Sequence, residues 1–290
     1  MATPVLLLRA PTSPPETDRY ETALRSAGFH PVSVPVLETA FANIHGLSEL
    51  LAAGPQDVGG VIVTSARAAE AWANAVESVA HLGNGDEANW TAMPFYAVGA
   101  ATADSLSSIS SSSRPLLCPK DIRGAAESGT AELLAHFILS DLDTSAPGTK
   151  LLYLTGDKNR ETLPGILKSG GVELMGLQVY ATQGSKTFRT DLEEALRRFR
   201  AATTPWWVTF FAPSAAAYVV PILRAYFLLS TSSRPSGDIE GSSGKKSARI
   251  AAIGPTTSEF LDGQLGLLVE VVPQRPSAEE LTKALRTEVP

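Results

Sequence analysis

LRSAGFHPVSVPVLET, residues 24–39, returns in register as LKSGGVELMGLQVYAT, residues 167–182. Each copy follows a short apolar run, VLLL at 5–8 and LLYL at 151–154. A second pair interleaves with the first. GGVIVTSARAAEAW (59–72) leads to FYAVGAATADSL (95–106), and WWVTFFAPSAAAYV (206–219) leads to IAAIGPTTSEFL (250–261). Repetition of this kind marks two similar folded units in one chain, and two facing units suggest a cleft between them.

The repeated segments read as strand, loop, amphipathic helix, glycine stop and strand. Val5–Leu8 is a buried strand run, and Tyr20, Ala23, Leu24 and Ala27 recur at helical spacing up to Gly28 as C-terminal cap. Val32, Val34 and Val36 then alternate as in a half-buried strand. The second copy repeats the plan with Leu163, Ile166 and Leu167, the Gly170–Gly171 stop, and Leu177 and Val179. In the other pair, Val61–Val63 runs into Thr64–Ser65 and an alanine-rich helix over Ala66–Ala75, and Tyr96–Val98 runs into Gly99 and a helix beginning near Thr102. Strands alternating with helices predict mostly parallel sheets covered on both faces. Interleaving allows the first segment to pair with the last, leaving the middle of the chain as an inserted domain with crossings near 37–39 and 180–182. Periodicity leaves two sequential halves equally open.

A length of 290 residues is long for one core and favours two domains. The net charge of −6 argues against nucleic acid and against an anionic membrane surface as partners. Cys118 is the single cysteine, which excludes an internal disulfide and a cysteine zinc site and fits a reducing compartment. No basic segment precedes a long apolar core at the start, so a signal peptide is not expected. The apolar stretch Ala215–Ser230 is interrupted by Pro221 and Arg224 and is too short for a bilayer, so it reads as a buried helix. A soluble, cytoplasmic protein is expected. Ser105–Ser113 and Thr231–Ser247 read as loops, the latter as a surface insertion. Its GSSGKKS end lacks the glycine spacing and the preceding strand of a phosphate loop.

Familiar catalytic machinery is missing. His30, His45, His81 and His136 are scattered, and neither G-x-S-x-G nor a strand-borne G-x-G-x-x-G occurs. What recurs is a hydroxyl where a strand gives way to a helix: Thr64–Ser65, Thr102, Ser214 and Thr256–Thr257. In an open α/β sheet ligands bind at that edge, and helix N-termini there suit carboxylates or phosphates. The plainer alternative is that these residues are helix N-caps.

Taken together, TSARAAEAW (64–72), YAVGAATADSL (96–106), GDKNRETLPGILKSGGVELMGLQVYAT (156–182), TFFAPSAAAY (209–218), AAIGPTTSEFL (251–261) and RPSAEELTKAL (275–285) resemble the uroporphyrinogen-III synthase family, in the family's order and across nearly the whole chain. The resemblance implies an α/β, bilobal fold of two doubly wound parallel-sheet (flavodoxin-like) domains joined by two antiparallel linker strands. The domains would be 1–37 plus 182–290, discontinuous, and 39–180, inserted. It implies no metal and no organic cofactor, and as substrate a linear tetrapyrrole with eight carboxylates. It further implies a monomer in transient contact with the enzyme that precedes it in tetrapyrrole synthesis. In the family's reaction hydroxymethylbilane loses its terminal hydroxyl to give an azafulvene. The last ring attacks this through its substituted carbon, and the resulting spiro intermediate breaks and recloses with that ring inverted.

Such a substrate expels water readily and closes unaided to the wrong isomer, so the protein's task is mainly positioning, helped by an acid near the departing hydroxyl. Tyr180 matches the family tyrosine and is the implied acid, with interdomain packing as the alternative. Ser65, Arg67, Thr102, Arg160, Ser214, Thr256 and Thr257 are the implied binding residues, with a solvated helix face as the alternative for Arg67. Ala212 stands where the family often has Ser or Thr. Local cations, namely Arg67, Lys158, Arg160 and Arg249, are expected to outweigh the negative net charge at the site. A non-catalytic two-lobed binder of a small anion, and an inactive relative, are the competing readings.

Overall fold

Short runs of apolar residues, each bounded by a turn, fix where the strands lie. The computed structural model describes residues 3–14, 17–55, 58–82, 88–142, 150–200, 204–231 and 244–288. The chain divides into two compact units, the first formed by 1–38 with 183–290 and the second by 39–182. In chain order, the first unit opens with β1 (Pro4–Leu8), α1 (Arg19–Ser26), β2 (His30–Ser33) and the start of β3 (Leu37–Phe41). The second contains α2 (Ile44–Ala53), β4 (Val61–Val63), α3 (Ala66–Leu82), β5 (Pro94–Ala97), α4 (Gly99–Ser107), β6 (Asp121–Arg123) and α5 (Ala131–Asp141). It continues with β7 (Lys150–Thr155), α6 (Thr162–Ser169), β8 (Glu173–Gln178) and the start of β9 (Tyr180–Gly184). The chain then completes the first unit with α7 (Phe188–Arg198), β10 (Trp206–Phe210), α8 (Pro213–Tyr226), β11 (Phe227–Leu229), β12 (Lys246–Ala252), α9 (Pro255–Leu265) and α10 (Ala278–Thr287).

Each unit is built on a five-stranded parallel sheet, ordered β11-β12-β10-β1-β2 in the first and β6-β5-β4-β7-β8 in the second. Counted from β7, where the repeated segment begins, the second sheet has the order 2-1-3-4-5 of a doubly wound fold. Both crossings between the units fall in β3 and β9, which pair in a separate two-stranded sheet.

Strand alternation sorts the side chains to two covered faces, as a parallel sheet requires. In the second unit Val61, Val63, Leu152 and Leu154 pack with α2, α3 and α4, whereas Ile62, Leu151 and Tyr153 pack with α5 and α6. In the first, Leu6, Leu8, Val208 and Ile250 face α7, α8 and α9, and Val5, Leu7 and Ala251 face α1 and α10. Gly28 and Gly171 both have positive φ just beyond α1 and α6, which is why the repeated helix stops on glycine.

Five expectations need adjusting. The helix after β5 begins at Gly99 rather than near Thr102, and α3 runs on to Leu82. Ser105–Ser107 close α4 instead of opening a loop. The apolar stretch after Ala215 is α8 only to Tyr226; Phe227–Leu229 is a strand. Of the 231–247 insertion, 232–243 lie outside the described residues, and Lys246 and Ser247 already belong to β12.

The turn after β1 is held by a buried carboxylate. Asp18, at 0 % exposure, caps α1 by accepting from the backbone N–H groups of Tyr20 and Glu21, both at 3.1 Å. Its other oxygen takes Thr12 N–H and Arg9 Nη1, both at 2.7 Å. Burial raises this carboxyl, but the bonds from Thr12, Glu21 and Arg9 outweigh burial and hold its pKa at about 2, below the ordinary 3.8. A depressed carboxyl adds stability above its unfolded pKa and loses it as pH falls through the folded one. Asp18→Asn should therefore cost the first unit about 2 kcal/mol at neutral pH. That deficit should shrink as pH drops from about 4 towards 2, in urea denaturation compared at pH 7 and pH 3. A deficit independent of pH would show that the charge of Asp18 contributes nothing.

Candidate functional site

In a doubly wound sheet the crevice opens at the carboxyl edge where successive connections turn in opposite directions. In the second unit that point lies between β4 and β7, since β5 and β6 continue to one side of β4 while β7 and β8 lie on the other. The residues just after these two strands, Thr64–Ser65 and the loop 156–161, line it.

Four side chains implied by the sequence converge there or beside it. Ser65 Oγ accepts from Ala68 N–H at 3.2 Å, capping α3, and donates to the Tyr180 phenol oxygen at 3.1 Å. Arg67, exposed in the first turn of α3, places its guanidinium carbon 5.9 Å from the centre of the Tyr180 ring, within cation–π range. Tyr180 itself is half-buried, the first residue of β9. Its ring rests directly on Gly156, where a Cβ would stand 2.6 Å from two ring carbons and 2.8 Å from the phenol oxygen. Glycine is needed at 156 because the ring occupies the space of a side chain. Asn159 stiffens the loop by bonding both Gly156 N–H (3.3 Å) and Gly156 C=O (2.8 Å), and Asp157 accepts Thr182 N–H at 3.2 Å. Arg160 is exposed on the same loop.

Tyr153, on β7, is a second phenol at this edge that the motifs did not single out. Burial pushes its phenol up, opposed by a hydrogen bond from the Thr64 hydroxyl. Consecutive hydroxyls at the end of β4 thus serve two different tyrosines. The available signal was a lone polar tip in the apolar LLYL run.

The other expected residues are distributed differently. Thr102 lies in the first turns of α4 but is buried, so it does not present its hydroxyl at the surface. Ser214 and Thr256 belong to the first unit, exposed in the first turns of α8 and α9, which follow the neighbouring strands β10 and β12. Thr257, beside Thr256, is buried. The N-cap alternative applies to Ser65 alone among these residues. Helices α4, α8 and α9 start from Val98, Ala212 and Gly254, and none of the three caps its helix with a side chain. Their first N–H groups are left for another acceptor.

Arg249 is not a local cation for the site. It bonds Glu270 at 2.6 Å and Glu288 at 3.0 Å and stacks 4.2 Å from the Trp207 ring centre, within β12 rather than at its carboxyl end. A groove of about 410 Å³ between α3 and α4 is lined by Glu70 and Glu77 and contains none of the expected residues; its carboxylates disfavour an anion. Among the described residues no group of three or more His, Cys, Asp or Glu is placed to hold a metal ion. No described helix is long and apolar enough to cross a membrane.

Comparison with known proteins covers nearly the whole chain. Uroporphyrinogen-III synthase of Saccharomyces cerevisiae is 26 % identical over 295 residues, covering 97 % of this chain and 94 % of that protein. The Schizosaccharomyces pombe enzyme of the same name is 26 % identical over 284 residues, covering 97 % and 95 %. Among solved structures, uroporphyrinogen-III synthetase from Helicobacter pylori covers 100 % of both chains at 14 % identity with a TM-score of 0.46. A uroporphyrinogen III synthase from Thermus thermophilus covers 99 % and 97 % at 18 % identity with a TM-score of 0.41. The fold assignment rests on the strand order of the chain itself. The family model described as uroporphyrinogen-III synthase HemD matches residues 18–283, and the chain belongs to that family.

Proposed function

We propose that this chain cyclises hydroxymethylbilane to uroporphyrinogen III, with Tyr180 protonating the departing hydroxyl. It is a cyclising lyase of heme biosynthesis. The observation that carries the residue assignment is the Ser65–Tyr180 hydrogen bond at the switch point. Because the phenol oxygen accepts from Ser65, the tyrosine's own proton is not used in that bond and is left for the substrate. When the proton is given up, the Ser65 hydroxyl, the N-terminus of α3 and the nearby Arg67 guanidinium are the groups that accommodate the negative charge left on oxygen.

Water then departs, and the azafulvene so formed is attacked by the substituted carbon of the last ring. The spiro intermediate breaks and recloses with that ring inverted. No nucleophile from the protein is required; the gain lies in holding the chain so that this closure outruns the spontaneous one. Ser65, Arg67, Arg160, Ser214 and Thr256, with the uncapped N–H groups of α4, α8 and α9, are the proposed partners of the substrate's acid groups. Thr102 and Thr257, being buried, shape the turns that present those N–H groups. The same reading takes 1–37 with 182–290 and 39–180 as the domains, and a cytoplasmic monomer that meets the preceding enzyme transiently. The two compact units and the single buried cysteine support it.

Purified protein given freshly made hydroxymethylbilane should yield mostly the type III isomer after oxidation and chromatography. Type I product alone, from folded protein, would leave the chain a binder or an inactive relative. Tyr180→Phe should lower kcat about 100-fold, the low end for loss of a general acid, and leave KM within about threefold. Unchanged turnover would remove Tyr180 from the mechanism. Gly156→Ala should lower kcat about tenfold by displacing the ring, consistent with the sensitivity of catalysis to small misplacements. Gly165→Ala, whose Cβ would meet nothing within 4 Å, should leave kcat unchanged.

A further inference from the structure

The two units share one repeated plan, yet their switch points carry different chemistry. In register, Ser65 corresponds to Ala212 and Tyr180 to Leu37, so the hydroxyl–phenol pair of the second unit is an apolar pair in the first. The first unit's switch point lies between β1 and β10. The residues that follow those strands are Arg9 and Phe211. Arg9 lies with its guanidinium carbon 5.1 Å from the Tyr20 ring centre and 5.7 Å from that of Phe211, and Nη1 is bonded to Asp18.

This guanidinium is set for a further anion. Two rings and a buried carboxylate fix its position before any ligand arrives, which removes much of the ordering cost of binding. Asp18 divides its charge among three backbone N–H groups besides Arg9. The Arg9 side chain keeps 21 % exposure, and among the described residues Asp18 is its hydrogen-bonding partner through one nitrogen only. The remaining donors of the fork match a second carboxylate. Elsewhere at this edge the first unit offers the hydroxyls of Ser214 and Thr256 and the uncapped N–H groups of α8 and α9.

Resting on the proposed reaction, we propose that Arg9 binds one acid group of the linear tetrapyrrole at the first unit's switch point, so that the unit without the hydroxyl–phenol pair contributes the charged anchor.

Four proteins test it: the parent, Arg9→Gln, Arg9→Lys and Asp18→Asn, each assayed with fresh hydroxymethylbilane and titrated with uroporphyrin III, an octacarboxylate, by tryptophan fluorescence. Arg9→Gln should raise KM and the uroporphyrin dissociation constant about tenfold, the loss of one charge-assisted contact, with kcat within about twofold. Arg9→Lys, which keeps the charge and loses the fork, should fall between. Asp18→Asn keeps the guanidinium and both rings but loosens its placement, so it should raise both constants by clearly less than Arg9→Gln does, while lowering the melting temperature. Equal changes in Arg9→Gln and Asp18→Asn would reduce the pair to a structural clamp and overturn the proposal, as would a melting shift with both constants unmoved. A parent protein that makes no type III product sinks the proposed reaction instead, while the uroporphyrin titration still decides whether Arg9 holds a carboxylate.

Discussion

Parallel pairing of β4 with β7, and of β1 with β10, is the constraint on which the rest depends. Parallel strands point all their carboxyl ends one way, so the helices that follow them begin on the same edge, and α4, α8 and α9 do so without a side-chain cap. Because the connections diverge on either side of these pairs, the loops that follow turn apart, beside Ser65 in one unit and Arg9 in the other. The site chemistry is an outgrowth of sheet topology. It needs no catalytic constellation written into one stretch of sequence.

Much of that was legible because the chain states its plan twice. Paired glycine stops at Gly28 and Gly171 and short apolar runs before each helix locate β1, α1, β7 and α6 without reference to any contact. The start of α4 was harder, since Val98 cannot cap and the helix opens on a glycine, leaving Thr102 to look like the first helical signal. Phe227–Leu229 continues the apolar run of α8, and a short apolar segment looks the same as helix end or as strand. Charges were the least readable. Arg249 reads as an available cation, but Glu270 and Glu288 reach it from 21 and 39 residues away.

Divergence between the repeated halves is chemically directed. Where the second unit has a serine and a tyrosine in hydrogen-bonding contact, the first has Ala212 and Leu37, and where the first has Arg9 the second has Thr155. The scaffold residues, by contrast, keep their type: Leu24 with Leu167, and Val36 with Val179, buried in each case. Packing demands restrain the core because a lost methylene is felt there. The edge residues face no such restraint and have specialised.

The two crossings between the units lie in strands hydrogen-bonded to each other, and this shapes how the chain reaches its native state. For the first unit, the roughly 140 residues between the crossings are a loop whose closure as a flexible coil costs about 4 kcal/mol in entropy. Once the inserted unit has folded, its own ends are held side by side, and the outer unit closes a gap of one strand spacing instead. Chain connectivity thus favours assembly from the inside outwards, with the inserted unit closing before the discontinuous one.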